Sequence, residues 1–280
     1  MTRPNAYGGA IYNEGSFDDL NGNFIGNYAD SIFSYGGAIY NSGIMKNING
    51  DFIRNSALSS ASESGGGAIY NVGSIEDIRG NFVNNVATMN STYRTNGGAI
   101  YNSGTIKNIY AYFVGNEATQ GAAVYNSGAS AKIGNITGDF VRNLSSVAGS
   151  YYMYGGAIHN SSSAEIGNIK GNFIENAIVA STSAGSGGAI YNDNAKIGNI
   201  EGNFINNYID AYYNNFGVAI YNYQATIGDV KGSFIGNKVI VHIHGHMALL
   251  YIILKELWGI LQVTLLKMKS TIKKDKPQGD

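Results

Sequence analysis

Cysteine is absent from the chain, and its 280 residues hold only two prolines and one tryptophan. Lack of cysteine excludes disulfide staples and thiolate metal sites; it suits a chain that crosses an oxidising compartment unfolded, and equally many cytosolic ones. Two prolines beside 39 glycines exclude polyproline and collagen architectures. Charge is scarce as well. Charged residues make 13% of the chain and the formal net charge is -1, which leaves no general basic surface for nucleic acid and no acidic tail. The opening Met1-Thr2-Arg3-Pro4-Asn5 carries no apolar stretch of the kind a secretory signal needs, so the expectation is a protein that stays inside or a piece of a longer one. The 44% of apolar residues suffice for a core and argue against disorder.

What the chain has in abundance is a repeat. Gly8-Gly9-Ala10-Ile11-Tyr12-Asn13 returns with its Ile or Val at Ile39, Ile69, Ile100, Val124, Ile158, Ile190 and Ile220. A second motif keeps step, with Phe at Phe24, Phe52, Phe82, Phe113, Phe140, Phe173, Phe204 and Phe234 and an Asn three residues after each. A period near thirty residues implies a solenoid, propeller or array. The fifth unit shows what repeats: Ala122 to Asn126, Ile133 to Ile136 and Gly138 to Val141 are short apolar runs bounded by Gly and Asn. Such runs are strands, too short and too Gly-broken for helices. Three short strands per unit make a coil, and coils stacked about 4.8 Å apart make an all-β, single-stranded parallel β-helix of about eight coils, roughly 38 Å long. The repeat domain spans residues 1–237, and residues 238–280 form an atypical tail.

Asn falls in three columns that would hold the register. The first runs Asn13, Asn41, Asn71, Asn102, Asn126, Asn160, Asn192, Asn222; the second is the Asn after each Phe; the third runs Asp19, Asn47, Asp77, Asn108, Asn135, Asn168, Asn199, Asp229. Asn tolerates the left-handed backbone of a corner, and stacked amides hydrogen-bond from coil to coil. The Gly pair gives a bend without a Cβ, and Ala122 and Val218 show that its second member is replaceable. Ile11, Phe17, Leu20, Phe24 and their equivalents should face inward.

Between each closing Asn and the next Gly pair lies the variable part, short at Glu117 to Gln120 and long at Val86 to Asn96 and Ala177 to Ser186. Insertions at one point of the coil project from one edge of a solenoid, where such proteins usually bind. Tyr-rich loops make Tyr151, Tyr152, Tyr154, Tyr212 and Tyr213 the candidate binding residues, because Tyr supplies contact area at low entropic cost. The plainer alternative is that these rings pack on the adjacent coil.

After Asn237 the grammar stops. A membrane helix is disfavoured because Lys255 and Glu256 interrupt the apolar run. A capping helix fits better. A further reading is that the tail is a ninth repeat translated out of frame: shifting the codons lets Met247 to Ile253 begin with Gly and spell Val, Ala, Ile, Tyr, Asn. The shifted Phe then falls on Thr264, thirty residues after Phe234. On that reading His242, His244 and His246 are no metal site.

Catalysis by paired acids needs carboxylates at equivalent positions of adjacent coils. Both acidic columns interleave Asn, and strict strand alternation would send Asp18 and Asp19 to opposite faces. His159 replaces the usual motif Tyr as a tolerated substitution. No cofactor or metal is expected, and a Thr ladder of the ice-binding type is missing.

Repeated Gly-Gly-Ala-Ile with a later Phe-x-x-Asn, from Gly8 to Asn237, resembles the chlamydial-type polymorphic outer membrane protein repeat of bacterial autotransporters. The resemblance implies a β-helical passenger, exported by an N-terminal signal, held at the outer membrane by a C-terminal barrel, and serving adhesion to a host or neighbouring-cell protein or glycan. Signal and barrel belong to the parent protein, so this chain reads as a middle piece. The competing expectation is a carbohydrate-active enzyme, lyase or hydrolase, on the same fold.

Overall fold

The computed structural model describes residues 4–60, 64–89, 94–147, 152–243 and 271–274. Every regular element among them is a strand, and the strands stack in parallel, each on its counterpart one repeat away. The expected parallel β-helix is the observed fold. On the Ile face, Ile11–Asn13, Ile39–Asn41, Ile69–Asn71, Ile100–Asn102, Val124–Ser127, Ile158–Ser161, Ile190–Asp193 and Ile220–Tyr223 form one 8-stranded sheet with Ile over Ile or Val and Asn over Asn.

The Phe face follows, and its first coil shows the pattern: Ser16–Asn21, then Phe24–Ile25. In the third and fourth coils the two segments fuse into Ser74–Val83 and Thr105–Val114. Inward residues of the first segment lie three apart: Ile75 and Ile78 are buried, while Glu76 and Asp77 between them are not. The strand therefore bends at the third Asn column. Asp18 and Asp19 consequently do not point to opposite faces: both are exposed, one paired with Lys46 at 2.6 Å and the other accepting from Asn47 Nδ2 at 2.7 Å.

Each coil holds more strand than the three runs expected. The stretch beyond the closing Asn is itself a strand in every coil, among them Tyr28–Ser31, Ser56–Ser59, Val86–Met89, Ala177–Ala180, Tyr208–Ala211 and Lys238–Ile243. A second short segment precedes the Gly pair, as in Phe33–Tyr35, Thr95–Asn96 and Met153–Tyr154. Small inward residues explain why the apolar pattern concealed the first of these. Ala29, Ala57, Ala87, Ala118 and Ser145 are buried there, and backbone pairing with the coil beside them asks nothing of side-chain hydrophobicity. Lys238–Ile243 continues this sheet past Asn237 on Tyr208–Ala211, and Thr271–Lys274 pairs onto it. The shifted motif at 247–253 and Thr264 lie outside the described residues, as do His244 and His246.

The core is columnar. Phe24, Phe52, Phe82, Phe113, Phe140, Phe173, Phe204 and Phe234 stack ring on ring at 4.7 to 5.1 Å, which is the strand spacing itself. Six of these, Phe52 to Phe204, are fully buried and each contributes roughly 1.5 to 3 kcal/mol of hydrophobic stabilisation.

Two Asn columns are closed ladders. In the first, Nδ2 of each Asn donates to Oδ1 of the next from Asn13 to Asn222 at 2.7 to 2.8 Å. In the second, each Asn from Asn55 to Asn207 gives Nδ2 to the Phe carbonyl of the preceding coil and receives the preceding Asn on Oδ1. The left-handed backbone falls one residue earlier than expected, on Gly26, Arg54, Asn84, Gly115, Arg142, Glu175, Asn206 and Gly236. The ladder Asn is selected for its amide rather than for its backbone.

Candidate functional site

In the six inner Ile-face strands, from Ile39–Asn41 to Ile190–Asp193, the Ile or Val and the Asn are buried and the residue between them lies on the opposite side, so the Tyr of one coil lands on the Tyr of the next everywhere but at His159. Tyr12, Tyr40, Tyr70, Tyr101 and Tyr125 stack at 4.1 to 5.5 Å with nearly parallel planes, and Tyr191 stacks on Tyr221. Sequence reading missed this ladder, although its signal was the Tyr of the motif itself. Because the rings cover one another's faces, the ladder presents mainly ring edges on its outer side. Burial pushes the Tyr40, Tyr70, Tyr191 and Tyr221 phenols above their ordinary range, so they stay neutral donors.

His159 interrupts the ladder. It is buried, and Tyr125, Tyr154 and Tyr191 meet its ring edge-on at 4.8, 5.7 and 4.9 Å. Its Nδ1 is buried without a hydrogen-bond partner among the described residues, as are Gln120 Nε2 and Asn96 Oδ1 on the neighbouring edge, where Asn96 bridges Gln120 and Gln120 bridges Tyr154. Burial, with a smaller contribution from Arg94, pulls the imidazole pKa down to about 3. Enclosed by three rings, this histidine is a neutral ladder member that no substrate can reach.

The candidate loop tyrosines divide. Tyr151 lies outside the described residues. Tyr152 is 59% exposed and lies parallel to Tyr154 at 6.4 Å, while Tyr154 is half-buried against Tyr191 at 4.4 Å and belongs to the ladder's flank. Tyr212 and Tyr213 form a separate edge-to-face pair at 4.9 Å, with Tyr213 61% exposed. Tyr152 and Tyr213 are thus the exposed members of the set, and Tyr154 packs on its coil.

A second feature lies on the Phe face, where an open trough of about 460 Å³ runs along the solenoid axis through coils four to eight. One wall is the third Asn column, Asn108, Asn135, Asn168, Asn199 and Asp229; the other is Tyr110, Thr137, Lys170, Glu201 and Lys231; the backbone of Ile136, Ile169 and Ile200 makes the floor. The sequence changes where the trough opens. Beside the Asn column stand Lys46, Glu76 and Lys107 in coils two to four, but Gly134, Gly167, Gly198 and Gly228 in coils five to eight. Asn47, Asp77 and Asn108 are accordingly half-buried, and Asn135, Asn168, Asn199 and Asp229 are exposed. At the third coil Arg79 reaches across to Asp77 at 2.6 Å and lies over the Tyr110 ring at 4.2 Å, which closes that end.

Outward acids are tied to neighbouring coils. Asp51 accepts from Asn81, Asp139 from Asn172 and Asp77 from Asn108, while Glu76, Glu165, Glu175 and Glu201 pair with Lys107, Lys132, Arg142 and Lys170. Among the described residues no three His, Cys, Asp or Glu converge as a metal site would require. No helix among them is long and apolar enough to cross a membrane, a statement that does not bear on barrels. No protein-family model, curated protein or solved structure matches the chain, so its likeness to the autotransporter repeat rests on the two motifs themselves.

Proposed function

We propose that this chain is a non-catalytic binding solenoid, the passenger segment of a surface-displayed adhesin that contacts a protein or glycan on a host or neighbouring cell. Its parent protein would be held at the outer membrane by a barrel beyond this segment. The observation that carries this reading is the outer surface, in which ladders and cross-coil ion pairs hold acids such as Asp77, Asp139, Glu165 and Glu201 while phenols and amides recur along the stack. A repetitive rigid surface suits multivalent contact, whose avidity grows with the number of sites engaged.

One observation favours the second reading, a carbohydrate-active enzyme: Glu201 and Asp229 line the same trough, and paired carboxylates are the usual glycosidase apparatus. Fluorescent beads coated with the purified chain decide between them when incubated with cultured cells and, separately, with polysaccharides. Saturable attachment with no new reducing ends supports the adhesin. Release of reducing ends that disappears in Glu201→Gln and Asp229→Asn would establish the enzyme.

A further inference from the structure

We infer that the trough of coils four to eight takes a neutral oligosaccharide, laid as an extended chain along the solenoid axis; this rests on the binding reading above and names the ligand class for one face. Four features carry it. The trough is long and narrow: its walls repeat once per coil over five coils, so four strand spacings give about 19 Å of length. It is charge-balanced, since Lys170 and Lys231 line it together with Glu201 and Asp229, which favours neither a polyanion nor a polycation.

Its amide wall has hydrogen bonds to give. Asn135 donates Nδ2 to Asn108 at 3.2 Å and Asn168 donates Nδ2 to Asn135 at 3.3 Å. Asn199 and Asp229 bond to the coil before them through backbone N–H, at 3.0 and 2.9 Å. An amide has two N–H donors and two acceptor lone pairs, so each exposed Asn keeps at least one donor for a ligand. Across the floor, Thr137, Lys170 and Glu201 supply a hydroxyl, a donor and an acceptor at successive coils. Hydroxyls that both donate and accept at short, regular intervals are what these walls can satisfy, and a sugar chain carries them on both edges. Finally, the closed end carries an aromatic: Tyr110 lines it, 39% exposed, with one ring face taken by Arg79 at 4.2 Å, and an aromatic edge beside hydrogen-bonding groups adds apolar contact for a sugar.

Gly134, Gly167, Gly198 and Gly228 stand in the same coils in which the amides become exposed; a Cβ at the first three would meet a carbonyl of the preceding coil at 2.2, 1.7 and 2.6 Å, so tight coil stacking requires them and leaves the amide wall open.

Isothermal titration of the full chain with neutral hexasaccharides of glucose, galactose and N-acetylglucosamine, beside a hyaluronan hexasaccharide, tests the assignment. The comparison variant is Thr137→Tyr, which fills the trough with a residue that strands favour; Lys132→Gln on the same sheet, outside the trough, is the control. Thermal melting of both variants checks that they remain folded. Saturable binding of a neutral hexasaccharide, weakened about tenfold or more in Thr137→Tyr and unchanged in Lys132→Gln, is expected. Binding that Thr137→Tyr leaves untouched, tighter binding of hyaluronan, or no neutral binding at all overturns the inference, and in each case cell attachment of coated beads still stands or falls by itself. A hexasaccharide that binds in the trough and is cleaved there keeps the occupant and removes the adhesin reading.

Discussion

His159 stands in a column that is otherwise tyrosine, and the exchange replaces a phenol with an imidazole enclosed by Tyr125, Tyr154 and Tyr191. Arg94 acts on its titration in the same direction as burial, while Asp193 acts on the Tyr154 and Tyr191 rings packed against it. Because its pKa falls from 6.5 unfolded to about 3 folded, the unfolded chain takes up the proton first. The stability that neutral His159 contributes is therefore complete above pH 6.5 and is lost as pH falls toward 3, at about 1.4 kcal/mol per pH unit. His159→Tyr restores the column and removes this proton linkage. Urea denaturation at pH 7 and pH 4.5 should show the native chain losing about 2 to 3 kcal/mol more than the variant. Equal losses would mean that the imidazole is already protonated in the fold.

At the level of the element, the Asn ladders differ in burial, and burial sets what each amide contributes. Asn143 is fully buried; its Nδ2 donates to Phe113 O at 3.0 Å and to Asn176 Oδ1 at 2.9 Å, and its Oδ1 accepts the Asn116 backbone N–H at 3.1 Å. Asn143→Ala strands a buried carbonyl and a buried N–H, each costing roughly 1 to 3 kcal/mol, so a loss of about 3 kcal/mol is expected in urea denaturation. Asn135→Ala, in the exposed third column, leaves groups that water can serve and should cost less than about 1 kcal/mol. A similar cost at both positions would show that the ladders act by register alone. These columns were legible from the spacing of Asn behind each Phe. Which of them is buried was not, since burial depends on the bend between Ile75 and Ile78 and its counterparts.

Taken whole, the molecule is a stack in which a coil touches mainly its two neighbours, so its stability is close to a sum over coils and their interfaces. Excising one complete period tests this directly. Deleting Ser127 to Asn160 joins Asn126 to Ser161, which occupy consecutive positions of the same face in coils five and six, and leaves every ladder in register. The shortened chain should keep its parallel β-sheet circular dichroism and melt several degrees lower. Deleting Ser127 to Asn143 instead sets an Ile-face strand against the wrong neighbour and should abolish cooperative folding. If both deletions melt alike, the nearest-neighbour description fails.

Much of the architecture followed from the sequence by itself: the period, the stacking of Ile on Ile and Phe on Phe, and the amide columns. Each of these is a local pattern written eight times, and a strand at fixed height can only meet its own copy. Only the tertiary structure decided what the outer faces became. Tyr12 and its copies read as one residue per motif, and their stacking into a ladder depends on rings brought together across a full coil. The column of Ala29, Ala57 and Ala87 hid a strand because small residues leave no apolar signal. The trough arose from Gly134, Gly167, Gly198 and Gly228 beside Asn135, Asn168, Asn199 and Asp229, a contrast between halves of the molecule that acquires meaning once the coils stand side by side. Exposure is set by what lies at the same height a full turn away, and that is information no single stretch of sequence contains.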